Sequence, residues 1–184
     1  MPSSSAPTPI RLTPADAERY ARLRRKMLAE TPWAFDAGPD NEQGMAHHVY
    51  ARMFADDQHA VLAMATTYTW GLTPGQPDLV AAAGITRMRA QKFAHRARIW
   101  GVYVDSAHRR RGLGRAVVSA AIECGRGWAG VDYLDLGVSE NSPEARRLFE
   151  GLGFKQWGRE PEATDHGARR FDEIYMTMKL KRER

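Results

Sequence analysis

The chain has 184 residues, 43% of them hydrophobic and 27% charged, with a formal net charge of +5. That length is enough for one well-buried core, the composition is ordinary for a globular protein, and no apolar run approaches the ~20 residues of a helical membrane span, which excludes membrane insertion by a helix. The single cysteine, Cys124, rules out an intramolecular disulfide and fits a reducing cytoplasm. The expectation is one domain over 1–184.

The opening MPSSSAPTP lacks the basic end and apolar centre of a secretory signal, so residues 1–8 read as a disordered tail. Ile10-Arg11-Leu12 is a short strand candidate. Thr13-Pro14-Ala15-Asp16 supplies a cap, a proline for the first helical position and an acid for the first turn. A helix follows to about Leu28, with Ala17, Tyr20, Ala21, Arg24 and Leu28 on one face. Pro32 ends it, and a second helix is predicted from near Asn41 to Phe54. Residues 60–67 and 79–88 are apolar runs separated by a stretch rich in breakers, Trp70 to Pro77, and together with residues 97–104 they predict an antiparallel meander.

After the strand of Ile99, Trp100, Val102, Tyr103 and Val104, the turn-favouring run Asp105-Ser106-Ala107-His108 breaks the pattern. Leu113, Ala116, Val117, Ala120 and Cys124 then recur at helical spacing, so a helix starts near Gly112 and carries Cys124 inward as an inert thiol. Between them lies Arg109-Arg110-Arg111-Gly112-Leu113-Gly114-Arg115. Its glycines let backbone N–H groups converge, the first helical turn presents unpaired donors, and the arginines add charge-assisted ones. This predicts a docked phosphate. A nucleoside-triphosphate loop would need Gly-Lys-Ser/Thr after the turn, and a dinucleotide fold a different glycine spacing.

Further on, residues 133–138 form a strand, and Ser142-Pro143 opens a helix whose buried face is Ala145, Leu148, Phe149 and Leu152. Residues 154–158 and 169–180 read as a closing hairpin with a long turn. His47 and His48 are adjacent and so point to different helix faces; with no H-E-x-x-H pattern, no metal site is expected.

Arg109-x-x-Gly112-x-Gly114, preceded by Val102-Tyr103-Val104, resembles the acetyl-CoA pyrophosphate loop of the GNAT superfamily of N-acetyltransferases. Ser139-Glu140-Asn141 through Leu152-Gly153-Phe154 is similar to the family's second signature. The resemblance covers about residues 8–180. It implies an α+β fold: a largely antiparallel mixed sheet of six to seven strands with about four helices, V-shaped between the strands near 97–104 and 133–138, where the cofactor lies. It also implies an acyltransferase that moves acetyl from acetyl-CoA to an amine by direct attack in a ternary complex. Cofactor contacts would come from Val102, Tyr103, Val104, Arg109, Arg110, Arg111, Gly112, Leu113, Gly114, Arg115 and Asn141, with Ser142 as the alternative to Asn141. Asn141 is preferred because Ser142 is needed as a helix cap. A backbone N–H on the strand ending at Val104 would meet the developing oxyanion. A homodimer is within what the resemblance implies.

The region between the first two helices shapes the acceptor pocket in the resembled family. Trp33 and Phe35 there are either substrate contacts or aromatics packed under the loop, and Glu30 either attracts an amine or ends a helix in solvent. Phe149 stands where many members carry a tyrosine acid, and Arg98 where some carry a glutamate base. Neither can do that proton work, so the proton handlers must be sought among Asp135, Ser139, Tyr103 and Tyr175. Two rival readings follow from the same residues: a CoA-binding module that has lost catalysis, and nucleic-acid binding through the basic loop. The second is disfavoured because no aromatic and basic interleaving accompanies the charge.

Overall fold

The structure is a computed structural model and describes residues 8–35, 46–66 and 77–180. The disordered tail expected at 1–8, the start of the second helix and most of the breaker-rich stretch at 70–77 therefore lie outside the described residues, Thr8 and Pro77 excepted. Thr13 begins the first helical segment as read from sequence. Its backbone N–H and hydroxyl both donate to Asp16 Oδ2 at 3.0 Å, and Pro14 opens a single tight turn that runs into helix α1 (Ala17–Glu30). Helix α2 is described over His47–Ala55.

Strands β1 (Ile10–Arg11), β2 (His59–Ala65), β3 (Leu79–Arg87) and β4 (Arg96–Val104) are followed by helix α3 (Leu113–Gly127). Strand β5 (Tyr133–Ser139), helix α4 (Pro143–Glu150) and strands β6 (Lys155–Asp165) and β7 (Arg170–Lys179) complete the order. The strands form one seven-stranded sheet in the order β1-β2-β3-β4-β5-β7-β6. Every pairing is antiparallel except β4 with β5. The mixed α+β architecture and the meander β2-β3-β4 match expectation.

Side-chain alternation explains how the two sheet faces are used. Ala81, Ala83, Ile85, Ala97, Ile99, Leu134, Leu136, Ile174 and Met176 point to the face covered by α3 and α4, where they meet Val117, Val118, Ala121 and Phe149. On the other face α1 and α2 bring Tyr20, Leu23, Met27, Tyr50 and Phe54 against Val61, Ala63, Ala82 and Tyr103. That second cluster contains no residue of β5, β6 or β7. Strand β3 is consequently buried on both sides, whereas the alternate residues Asp135, Gly137, Glu173, Tyr175 and Thr177 are half-buried or exposed. The described residues leave half of that sheet face open.

The closing hairpin differs from the sequence reading. A long turn was expected, but β6 continues to Asp165 and only residues 166–169 join it to β7. Pro161 reads as a breaker. It is accommodated because β6 is an edge strand, where a missing N–H costs no ladder bond, and because the register shifts between Glu160 and Thr164, with Glu162 at φ 51°.

Candidate active site

The parallel pair is short. Strands β4 and β5 are matched only at Arg96–Tyr133, Ala97–Leu134 and Arg98–Asp135, although both continue well beyond. Past Arg98 and Asp135 the strands part, giving the V expected between them. A bulge lies in the same stretch of β4. Ala82 pairs with Tyr103 and Gly84 with Trp100, so Gly101 and Val102 together oppose one β3 residue, with Gly101 at φ 59°. The bulge leaves an extra β4 residue outside the ladder, and the left-handed backbone there favours glycine.

Both strands leave the open end of the V for a helix. After β4 the chain makes a tight turn over Ser106–His108, held by the Ala107 N–H donating to Asp105 Oδ1 at 2.9 Å. Arg110 and Gly112 then take positive φ, 62° and 79°. Helix α3 has no side-chain cap. Its first internal bond runs from Ala116 N–H to the Gly112 carbonyl (3.0 Å), so the N–H groups of Leu113, Gly114 and Arg115 precede the ladder. A Cβ at Gly112 would meet nothing within 4 Å, which leaves room for a ligand against this backbone.

The four arginines of the loop divide into two pairs. Arg109 Nε donates to the Val104 carbonyl at 3.0 Å, and its guanidinium lies 3.9 Å from Glu30. Arg115 donates to the Gly151 carbonyl at 3.1 Å. Those two side chains brace the loop and the end of α4. Arg110 and Arg111 are exposed and make no ion pair with any described residue.

Asn141 follows β5 and is exposed, its N–H donating to Ser139 Oγ at 3.3 Å. Ser142 occupies the cap position of α4 but makes no side-chain cap bond. The preference for Asn141 rested on Ser142 being needed as a cap, and that premise does not hold: the hydroxyl of Ser142 is not spent on the helix.

Of the four expected proton handlers, three are committed elsewhere. Asp135 receives both Arg96 Nε (2.7 Å) and Arg96 Nη2 (2.6 Å) and also Thr177 Oγ1 (2.8 Å), at the closed end of the V. Tyr103 is buried and donates to Glu30 Oε2 at 2.7 Å. Burial, and then the Glu30 carboxylate, push its phenol well above the usual range. Ser139 is buried beneath the Asn141 N–H. Glu30 is tied to Tyr103 and Ser106 and so is not a free helix end. Burial pushes its carboxyl up, but hydrogen bonds from Tyr103 and Ser106, with the Lys26 charge, bring it below the ordinary glutamate value. Phe149 packs edge-on against Phe154 and is buried, and Cys124 is half-buried with its thiol pushed up by burial. Among the described residues no cluster of potential metal ligands occurs.

The hydroxyl of Tyr175 is committed too, to Glu160, but inside a cleft. Tyr175 lines this cleft of about 480 Å³ on the open half of the sheet, together with Arg24, Phe35, Arg98, Trp100, Gly101, Gly137, Glu160 and Glu173. This cleft reaches the V from the α1 side, since Gly101 belongs to the bulge and Gly137 to the diverging part of β5. Phe35 therefore belongs to the cleft, with Arg24 stacked over its ring at 5.0 Å, whereas Trp33 is not among the lining residues. Trp100 lies flat on β3: a Cβ at Gly84 would overlap its ring, and its indole N–H donates to Thr86 at 2.8 Å.

The carboxylates here were missed by the sequence reading. Glu160 and Glu173 are direct partners in the β6–β7 register. Like charges placed opposite one another destabilise a strand pair. Glu160 accepts the Tyr175 hydroxyl, and that bond and burial raise the Tyr175 phenol. Glu173 reaches over Gly137, so closely that a Cβ there would overlap its carboxylate. No local signal in the sequence marks either residue. The pairing that brings them together depends on the β6 register shift.

A sheet that opens along its one parallel pair, below an uncapped helix N-terminus, is the fold class to which both sequence motifs point. The model of the acetyltransferase (GNAT) family matches residues 22–154, and the chain belongs to that family. A search among proteins of curated function finds no match. Among solved structures, the acetyltransferase of GNAT family from Streptococcus pneumoniae is similar over 94% of this chain and 98% of its own, at 15% identity and TM-score 0.78. The Salmonella typhimurium protein yncA, solved with its cofactor acetyl-CoA, is similar over 98% and 97%, at 20% identity and TM-score 0.77. The ribosomal-protein-alanine N-acetyltransferase from Brucella melitensis is similar over 94% and 99%, at 20% identity and TM-score 0.74. Likeness at these identities establishes the fold.

Proposed function

We propose that the chain is a single-domain, acetyl-CoA-dependent N-acetyltransferase that works by direct attack within a ternary complex. The observation that carries this is the opening of β4 from β5 beyond Arg98 and Asp135, with the unladdered N–H groups of Leu113, Gly114 and Arg115 at its mouth. These residues fit a pyrophosphate. The space at Gly112 is open, and Arg110 and Arg111 have charge to spare. A Salmonella protein of the same fold binds acetyl-CoA, which supports the same ligand here. Asn141 or the uncommitted hydroxyl of Ser142 would reach it from β5.

Acetyl-CoA would supply an acetyl group activated as a thioester, whose C–S bond breaks with its electron pair leaving on sulfur as the acceptor nitrogen forms the new C–N bond. The chain's own residues must hold the amine, remove a proton from it and receive charge on the carbonyl oxygen. An alkylammonium with pKa near ~10 needs a base. Glu173, poised over Gly137 at the edge of the V, is the carboxylate that would take that proton. The backbone released by the Gly101–Val102 bulge is the donor for the oxyanion. Phe149 offers no proton to the departing sulfur, but a thiol of pKa ~8.5 leaves as thiolate. The single free thiol, Cys124, supports a reducing, cytoplasmic setting.

Calorimetry with CoA and thiol release from acetyl-CoA across a panel of amines test this. Binding together with amine-stimulated release is expected. Binding without release in any case would make the chain a CoA-binding module, the reading favoured by Phe149, and no binding at all would refute the assignment.

A further inference from the structure

The acceptor cleft continues into a second cleft of about 460 Å³, and Arg98 and Tyr175 line both. The second is apolar. Of the four large hydrophobic side chains exposed among the described residues, three, Met88, Phe93 and Trp157, line it. Singly exposed apolar residues are ordinary, but three gathered at one cavity mark a surface that something covers.

Arg98 stands at the junction. Along β4 its outward-facing neighbours are Arg96, held by Asp135 through two hydrogen bonds, and Trp100, held by Thr86. Arg98 itself forms no ion pair with any described residue. It therefore presents an uncompensated guanidinium between a cleft containing two carboxylates and a cleft that is apolar. Resting on the acetyltransferase reading above, we propose that the acceptor is an apolar α-amino acid. Arg98 binds its carboxylate, Glu173 receives its ammonium beside the V, and its side chain enters the cleft of Met88, Phe93 and Trp157.

The register supports this order. Arg98 is level with Asp135, and Gly137, over which Glu173 lies, is two residues further along β5. Two residues of strand are about 7 Å, to which the spacing of β4 from β5 adds, a gap that two long side chains close onto two charged groups borne by one α-carbon. An acceptor with a second amine in place of the carboxylate would set a cation against Arg98. An acceptor lacking any anion would leave the guanidinium unused.

The test uses the full chain and three acceptors that share one ring: L-phenylalanine, L-phenylalaninamide and phenethylamine. Thiol release is measured for the wild type, Arg98→Gln and Arg98→Lys. The wild type should favour phenylalanine. Arg98→Gln should lower kcat/KM for phenylalanine by about tenfold to a hundredfold, mainly through KM, and for the other two by less than about threefold, as expected for losing one charge-assisted pair. Arg98→Lys should recover part of the loss. Taking wild-type to variant ratios for each acceptor cancels their intrinsic nucleophilicities. Equal losses for all three acceptors, wild-type preference for phenethylamine, or turnover of other amines but none of these would overturn the proposal and leave the transferase reading standing. CoA binding with no release from any amine would instead remove the transferase reading, and the acceptor with it.

Discussion

Gly137→Ala tests the position of Glu173 without touching its chemistry. A Cβ at residue 137 would lie 3.2 Å from Glu173 Cδ and closer still to Oε1, where ordinary contact is about 3.5–4.0 Å. The carboxylate must withdraw by roughly 1 Å, and it can, because it is the far end of a flexible side chain. A displacement of that size at a reacting group costs on the order of 10²-fold. The fold should tolerate the change, since alanine in a strand interior is favoured over glycine by about 0.5–1 kcal/mol and offsets the local crowding. Steady-state thiol release should show kcat/KM for the amine falling about 10²-fold while KM for acetyl-CoA moves by less than about twofold. Glu173→Gln should show at least as large a loss, and the double variant should be no worse than Glu173→Gln alone, because both changes remove one function. Full activity in Gly137→Ala, or losses that multiply in the double variant, would refute the assignment of Glu173 as base.

Replacing Arg110 and Arg111 together by glutamine should raise the CoA dissociation constant by about tenfold or more, and calorimetry at increasing salt should show a flatter dependence than in the wild type. An unaltered salt dependence would place the pyrophosphate elsewhere. Tyr103→Phe removes the bond to Glu30 and should cost about 1 kcal/mol in denaturant unfolding; a loss of kcat on the order of 10³-fold with CoA still bound would restore Tyr103 as a proton donor. Burial pushes the Asp105 carboxyl up, but Lys26 and the Ala107 N–H outweigh it and hold the group below the ordinary aspartate value. Folding thus favours the carboxylate, and its contribution is complete above about pH 4 and lost as pH falls through the lower folded value. Asp105→Asn should be less stable than the wild type at pH 7 by about 1–3 kcal/mol, with the gap narrowing by pH 3, and a gap independent of pH would contradict this.

The elements that frame the proposed cofactor site were legible in the sequence because their residues are contiguous. Strand, turn, glycines and helix follow one another from Ile99 to Cys124, and each is marked by local chemistry: β-rich apolar residues, turn formers, two glycines at 112 and 114, then a 3.6-residue period. The sequence order also indicated the meander, and the family resemblance the V between β4 and β5. What it did not indicate was the division of labour among arginines. Arg109 and Arg115 look like Arg110 and Arg111 in a string, and only the positions of the Val104 and Gly151 carbonyls separate braces from free charges.

The acceptor side was illegible for the opposite reason. Arg24, Arg98, Gly137, Glu160 and Glu173 come from five elements, and each taken alone is an ordinary polar or small residue, Arg24 on the inward face of α1 and the other four on the outward side of their strands. Alternation along β5 and β7 states which face is not core, but not whether α1 and α2 extend far enough to cover it. Over the described residues they do not, and the half they leave uncovered carries the locally unfavourable features: the Gly101 bulge, Glu162 at positive φ, and the facing pair Glu160–Glu173. Strain and like-charge proximity persist where surrounding structure holds them and a ligand relieves them. An ammonium against Glu160 and Glu173 is such relief. The face that the described helices leave open is thus also the face on which two carboxylates stand opposite one another, and it is there that we propose the acceptor binds.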